Sequence, residues 1–126
     1  MARRPGSGMR WLLFSVSGRL SRRAYAWVML FWLAVMAIPV SAAVHAEPDS
    51  PAMTMAGFGI ILSFLPAAWS VAVTSIKRLH DAGLSGILVG VLVVPAASFF
   101  MLLIIMLWPS VKGPNKHGPG PDQPGY

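Results

Sequence analysis

The chain has 126 residues, 56% of them hydrophobic and only 11% charged, where a soluble domain averages about a quarter charged. Its net charge is +6, and it has no cysteine, which excludes disulfides, thiolate nucleophiles and cysteine-ligated metal or iron–sulfur centres. Three uncharged runs, residues 24–44, 53–76 and 84–108, take up more than half of the chain. Each exceeds the roughly 20 apolar residues an α-helix needs to cross a hydrocarbon core. No stretch remains that could build a separate water-soluble core. The expected fold is therefore an all-α membrane protein, a bundle of three transmembrane helices with a short interfacial N-terminal segment.

Residues 1–23 form a basic tail. Its first eight residues are rich in Arg, Pro, Gly and Ser, a composition that favours disorder. Met9 to Phe14 is an apolar patch with one tryptophan and one arginine. It is too short to span and suits a segment lying in the headgroup region. Ser21 is placed to cap the first span. Tyr25, Trp27 and Trp32 crowd that end of it, as in an aromatic belt. Val44-His45-Ala46 before Glu47 resembles a small-residue cleavage site. The apolar stretch ahead of it, about 20 residues, is longer than the 7–15 of a secretory signal, so a retained span is expected. Residues 45–50 make a short turn marked by Pro48 and Pro51.

The second span ends at Lys77-Arg78, and residues 77–83 read as a loop that makes the second and third spans antiparallel neighbours. Each span holds one proline: Pro39, Pro66 and Pro95. Static bends are the expected consequence. A fold-back at Pro95 would split the third run into halves of 11 and 13 residues. Neither half reaches spanning length, so one span is expected there, and the membrane domain is drawn over 24–109. The tail, 110–126, has four prolines and four glycines, which oppose regular structure.

Charge sets the orientation. Arg3, Arg4, Arg10, Arg19, Arg22 and Arg23 precede the first span, and Lys77 and Arg78 follow the second. Only Lys112 and Lys116 follow the third, while the segment between the first two spans has Glu47 and Asp49 and no base. Basic residues near span ends stay cytoplasmic, which predicts a cytoplasmic N-terminus and a C-terminus outside. Bases that flank spans point to anionic lipid headgroups rather than nucleic acid.

Ala56, Gly59, Ser63, Ala67, Ser70 and Thr74 recur at intervals of three and four, which places six small residues on one helix face. Gly86 and Gly90 give the third run a small-xxx-small pair. Such faces let backbones approach closely. Ser63, Ser70, Thr74, Gly86 and Gly90 are therefore expected to pack spans two and three together, with a homodimer seam through the glycines as the rival. No Asp, Glu, Lys, Arg or His lies within a span, which counts against an ion-coupled transporter.

The densest polar chemistry is Lys77-Arg78-Leu79-His80-Asp81. Arg78 and Asp81 are three apart and can pair on a helix. Asp81 could instead meet Arg19 or Arg22. Three stretches resemble the signatures of one family: Phe14 to Tyr25, with Ser17-Gly18-Arg19-Leu20-Ser21-Arg22-Arg23; Arg78-Leu79-His80-Asp81-Ala82-Gly83-Leu84-Ser85-Gly86; and Gly113-Pro114-Asn115-Lys116-His117-Gly118-Pro119. The family is domain of unknown function 805, small bacterial inner-membrane proteins, and the resemblance runs from about Phe14 to Pro121. The chain departs from the family's pattern at Ile87-Leu88 and Gly120, and at His117, where the family usually has Tyr or Phe. The resemblance implies a multi-span bacterial membrane protein with a cytoplasmic N-terminus, and it implies no activity.

The expected function is that of a non-catalytic inner-membrane protein. Arg19, Arg22, Arg23, Lys77, Arg78, His80 and Asp81 would form a cytoplasmic rim for anionic lipid headgroups or a partner protein, homo-oligomers included. Gly18 would turn the tail so that its arginines fold under the bundle. The alternative is a subunit of an oligomeric small-solute channel, walled by Ser63, Ser70 and Thr74. No enzyme is expected: His80 and Asp81 are adjacent and do not face each other on a helix, and no nucleophile lies near them. No cofactor, metal or nucleic acid is expected either.

Overall fold

The computed structural model describes residues 8–125, so residues 1–7, where most of the disordered start was expected, lie outside the described residues. Those described are helical, with no strand among them. The elements are α1 (Met9–Phe14), α2 (Arg22–His45), α3 (Pro51–Asp81), a 3₁₀ helix (Gly86–Val93) and α4 (Pro95–Leu107).

Two helices are long and apolar enough to cross a membrane, α2 with 24 residues and α3 with 31. At 1.5 Å per residue they reach about 36 Å and about 46 Å, more than the roughly 30 Å hydrocarbon core. Local chemistry sets their starts. The Ser21 hydroxyl accepts from the Ala24 amide at 3.2 Å, and Ser50 does the same for Met53 at 3.1 Å. Pro51 stands at the first position of α3, where its missing N–H leaves no bond unmade. α3 stops in a Schellman turn. Gly83 adopts φ +76°, its amide bonds the His80 carbonyl at 3.1 Å, and the Leu84 amide bonds the Leu79 carbonyl at 2.8 Å. The expected seven-residue loop is thus shorter, because α3 runs on through Asp81.

α2 and α3 lie antiparallel. Tyr25 meets Ser75 at 2.9 Å, and two turns further along Val28 and Trp32 pack with Ala67. Near the far end Pro39 touches the backbone at Gly59, where an added Cβ would lie 3.1 Å from the proline ring. The small-residue face of α3 therefore serves α2, and not chiefly the third run as expected. Tyr25 and Trp32 are buried by this packing. Of the three aromatics expected in a belt, only Trp27 is exposed.

The expected third rod does not form. Val94 is extended at φ −88°, ψ 115°, the conformation that a following proline imposes. Pro95 then opens α4 as its first residue. The chain folds back at this point. Both ends of the run meet the end of α3: Leu84 bonds Leu79, and Val111 donates to the Asp81 carbonyl at 2.8 Å. The 3₁₀ arm reaches about 16 Å and α4 about 20 Å, so this hairpin is shorter than a bilayer core. The C-terminal tail consequently returns to the end where α2 begins, and the expectation that the two tails lie at opposite ends of the bundle is corrected. Asp122 N donates to Arg19 O at 2.8 Å and Arg19 N to Gln123 O at 3.2 Å.

Gly86 and Gly90 differ in what surrounds them. A Cβ on Gly86 would lie 2.9 Å from Ile76 Cγ2 and 3.0 Å from His80 Nε2, whereas one on Gly90 would meet nothing within 4 Å. Gly86 packs inside the protomer, against Ile76 and His80 rather than the small-residue face, and Gly90 does not. Gly86→Leu should lower stability by about 1–3 kcal/mol through overpacking, while Gly90→Leu should change it by less than about 0.5 kcal/mol. Thermal unfolding in detergent checks both values; equal losses at the two positions contradict this packing.

Candidate functional site: a buried ionic knot

Sequence positions far apart converge where α2 begins and α3 ends. Gly18 turns the chain at φ +101°, and a side chain there would strike the Gln123 carbonyl. This sharp turn delivers Arg19 and Leu20 into the bundle, both fully buried. Leu20 N then bonds Lys77 O at 3.1 Å. On α3, Lys77, Arg78 and Asp81 are fully buried as well.

Asp81 is the centre of this cluster. Its Oδ1 accepts from Arg19 Nε at 3.0 Å and its Oδ2 from Arg78 Nη1 at 3.0 Å. The Ser110 hydroxyl also donates to Oδ2. Both partners weighed for Asp81 from the sequence, the local Arg78 and the distant Arg19, are engaged together, while Arg22 is not. Charged groups taken from water cost several kcal/mol each unless their hydrogen bonds are replaced. One carboxylate cannot neutralise three cations, and backbone carbonyls complete the set. Arg19 donates to Val111 O and Gly113 O, each at 2.6 Å, and Arg78 to Trp108 O. Lys77 Nζ donates to Trp11 O at 2.5 Å and Leu12 O at 2.6 Å. The planar guanidinium fork lets Arg19 bond the carboxylate and the tail carbonyls of Val111, Gly113 and Gly118 at once.

α1 is held by the same device. Lys77 Nζ lies 4.4 Å over the Trp11 ring, a cation–π contact, and Trp11 Nε1 donates to Ser17 O at 2.8 Å. Trp11 is buried. It turns into the protein, where an interfacial segment was expected to face headgroups.

The tail is strapped across this end of the bundle. Asn115 Nδ2 donates to His80 O at 2.9 Å, and Asp122 Oδ1 accepts from Ser21 N at 2.9 Å. His117 stacks on His80 with ring centroids 3.9 Å apart and planes within 3°. It fills with an imidazole the slot where an aromatic residue was noted as usual. Burial, then the charges of His80, Lys116 and Arg19, push the His117 imidazole below its ordinary value, so the docked tail favours a neutral ring. Ser110, Asn115 and Asp122 were not singled out from the sequence. The motif 113–119 was the signal that the tail has a fixed place.

The sequence-predicted rim thus divides in two. Arg19, Lys77, Arg78 and Asp81 are enclosed and held by one another, by Ser110 and by carbonyls, with Arg78 Nε alone of their charged-group atoms left without a partner. Arg22 and Arg23 are exposed, and His80 is half-buried. The expected wall of a pore divides as well, with Ser63 half-buried. Ser70 and Thr74 are buried, and the Thr74 hydroxyl donates to Ser70 O of its own helix at 2.7 Å. Among the described residues no group of three His, Asp or Glu side chains could hold a metal ion.

Two apolar helices of membrane-spanning length and a fold-back hairpin, tied at one end by a buried carboxylate, define a small all-helical protein compatible with a membrane. The chain belongs to the family described as protein of unknown function (DUF805), whose model matches residues 13–119 and so takes in Arg19, Lys77, Arg78, Asp81 and Ser110. No curated protein and no solved structure matches the chain.

Asp81→Asn keeps the shape of the side chain and leaves two buried guanidinium groups without their anion. Its expected cost is about 3–5 kcal/mol, with tryptic cleavage at Lys112 and Lys116 accelerated as the tail is released. An unchanged melting temperature and an unchanged cleavage rate in detergent contradict the role given to Asp81.

Proposed function

We propose that this protein is a non-catalytic integral protein of a bacterial inner membrane whose cytoplasmic face holds anionic lipid headgroups. The observation that carries this reading is the distribution of charge after folding. The fold-back brings Lys112 and Lys116 to the end that already holds Arg10, Arg19, Arg22, Arg23, Lys77 and Arg78. All eight Lys and Arg among the described residues then stand at one end, while the turn at the other holds Glu47 and Asp49. Two apolar rods with every base on one side follow the positive-inside pattern more strictly than three did. Both tails are then cytoplasmic, and the hairpin re-enters the bilayer from that face. The 3₁₀ arm packs one side on α3 and α4, and its helical hydrogen bonds satisfy its backbone within the segment, as membrane depth requires.

The knot is structural in this reading, and the exposed bases are the ones that act. Arg10, Arg22, Arg23, Lys112 and Lys116 remain free to meet phosphates. Each base near an anionic surface contributes about 1 kcal/mol. The channel alternative has less support, since the hydroxyls of Ser70 and Thr74, proposed for its wall, are enclosed.

Reconstitution with brominated lipids tests the rim, because quenching of the exposed Trp27, Trp69 and Trp108 reports which headgroup gathers around the protein. Brominated phosphatidylglycerol should quench more strongly than brominated phosphatidylcholine. Arg22→Gln and Arg23→Gln should each reduce that preference by about fivefold, with high salt acting in the same direction. Equal quenching by the two lipids in the wild-type protein overturns the reading.

A further inference from the structure

An open groove of about 890 Å³ lies between α2, α3 and the hairpin. Met29 and Met36 of α2, Val71 of α3, Gly90 of the 3₁₀ arm, and Leu102 and Met106 of α4 are among its walls. The Ser98 hydroxyl, one of its few polar groups, is turned to its own backbone, donating to Pro95 O at 2.7 Å. Such a wall suits hydrocarbon and offers a polar solute little. From Met29 to Met36 the groove follows α2 for about 10 Å, the proportions of part of an extended acyl chain.

Its upper mouth is not apolar. Arg22 stands seven residues before Met29, on the same face of α2, and is exposed. Its Nη1 lies 3.4 Å from Leu107 O, beside the groove-lining Met106. A guanidinium has five N–H donors, and this long contact leaves most of Arg22's free. Behind it the knot sets three buried cations against one carboxylate. The mouth is therefore positive and the groove below it greasy.

We propose that the groove holds one anionic phospholipid, with an acyl chain lying between α2 and α4 and its phosphate on Arg22. A second copy of the chain is the other candidate occupant. In the same orientation it would bring arginines against arginines, since the acidic turn at Glu47 and Asp49 lies at the opposite end. Charge thus favours the lipid. The proposal rests on the membrane reading above and adds to it one stoichiometric acyl-chain site that shares Arg22 with the rim.

Native mass spectrometry of the full chain in mild detergent, with phosphatidylglycerol or phosphatidylcholine added at equal concentration, tests it. The wild-type protein should retain one phosphatidylglycerol per chain in preference to phosphatidylcholine. Gly90→Trp places a ring where an added Cβ meets nothing within 4 Å, and should lower the retained fraction at least tenfold without changing the melting temperature. Ala68→Trp fills the groove from the α3 wall and should do the same. Arg22→Gln should keep a lipid and lose the discrimination between headgroups. Wild-type retention in both filled variants overturns the proposal. So does a wild-type dimer that the filled variants split, since a second copy then occupies the groove. If the filled variants keep their lipid while brominated-lipid quenching still shows an anionic preference, the groove proposal falls and the rim stands. If that preference is absent in every form of the protein, the membrane-rim reading falls instead.

Discussion

A carboxylate removed from water and gripped by two guanidinium groups is the joint of this molecule. Asp81 has no solvent to stabilise its charge, so its partners must be present whenever the chain is folded. Those partners come from opposite ends of the sequence, Arg19 before the first long helix and Ser110 after the last. Arg19 in turn holds the tail carbonyls. One buried negative charge thereby decides where both tails go and where the hairpin begins and ends. The surplus of cations around it is satisfied by carbonyls, several from irregular tail segments and two from α1, which leaves those segments little freedom to move.

Much of this was legible in the residues themselves. The two long helices follow from uncharged runs longer than a bilayer, and Ser21 caps the first as a short polar residue does. The Arg78–Asp81 pair follows from helical spacing, and the turn at Gly18 from the need for a positive φ. Of the tail's described arginines, Arg19 turns in beneath the bundle, while Arg10, Arg22 and Arg23 stay exposed.

What the residues hid is long-range. Run 84–108 has the composition of a rod, and hydropathy has no means of separating one rod from two short arms. The deciding signals were local and small: Pro95 forcing Val94 out of helical geometry, and an arm of glycine and β-branched residues before it. Once that run turns back, every base falls on one side, a pattern that a three-rod reading could not display. The burial of Arg19, Lys77 and Arg78 was hidden for a related reason. Bases beside an apolar run ordinarily reach out to headgroups. Here carbonyls at residues 108–113 and at the end of α1 are brought close enough to replace water, and sequence spacing does not reveal that. The exposed rim is consequently carried by Arg22 and Arg23 rather than by the residues in the most recognisable motif.

The central claim is that the polar knot holds both tails at one end of the bundle, which in the proposed membrane reading puts them on one side. The chain has no cysteine, which allows single introduced thiols to report their side without background. Ser17→Cys, Gln123→Cys and Glu47→Cys, each probed in intact cells with a membrane-impermeant maleimide, test the claim most directly. The Ser17→Cys and Gln123→Cys proteins should both be protected and the Glu47→Cys protein labelled. Labelling of the Gln123→Cys protein together with the Glu47→Cys protein, while the Ser17→Cys protein stays protected, contradicts the account.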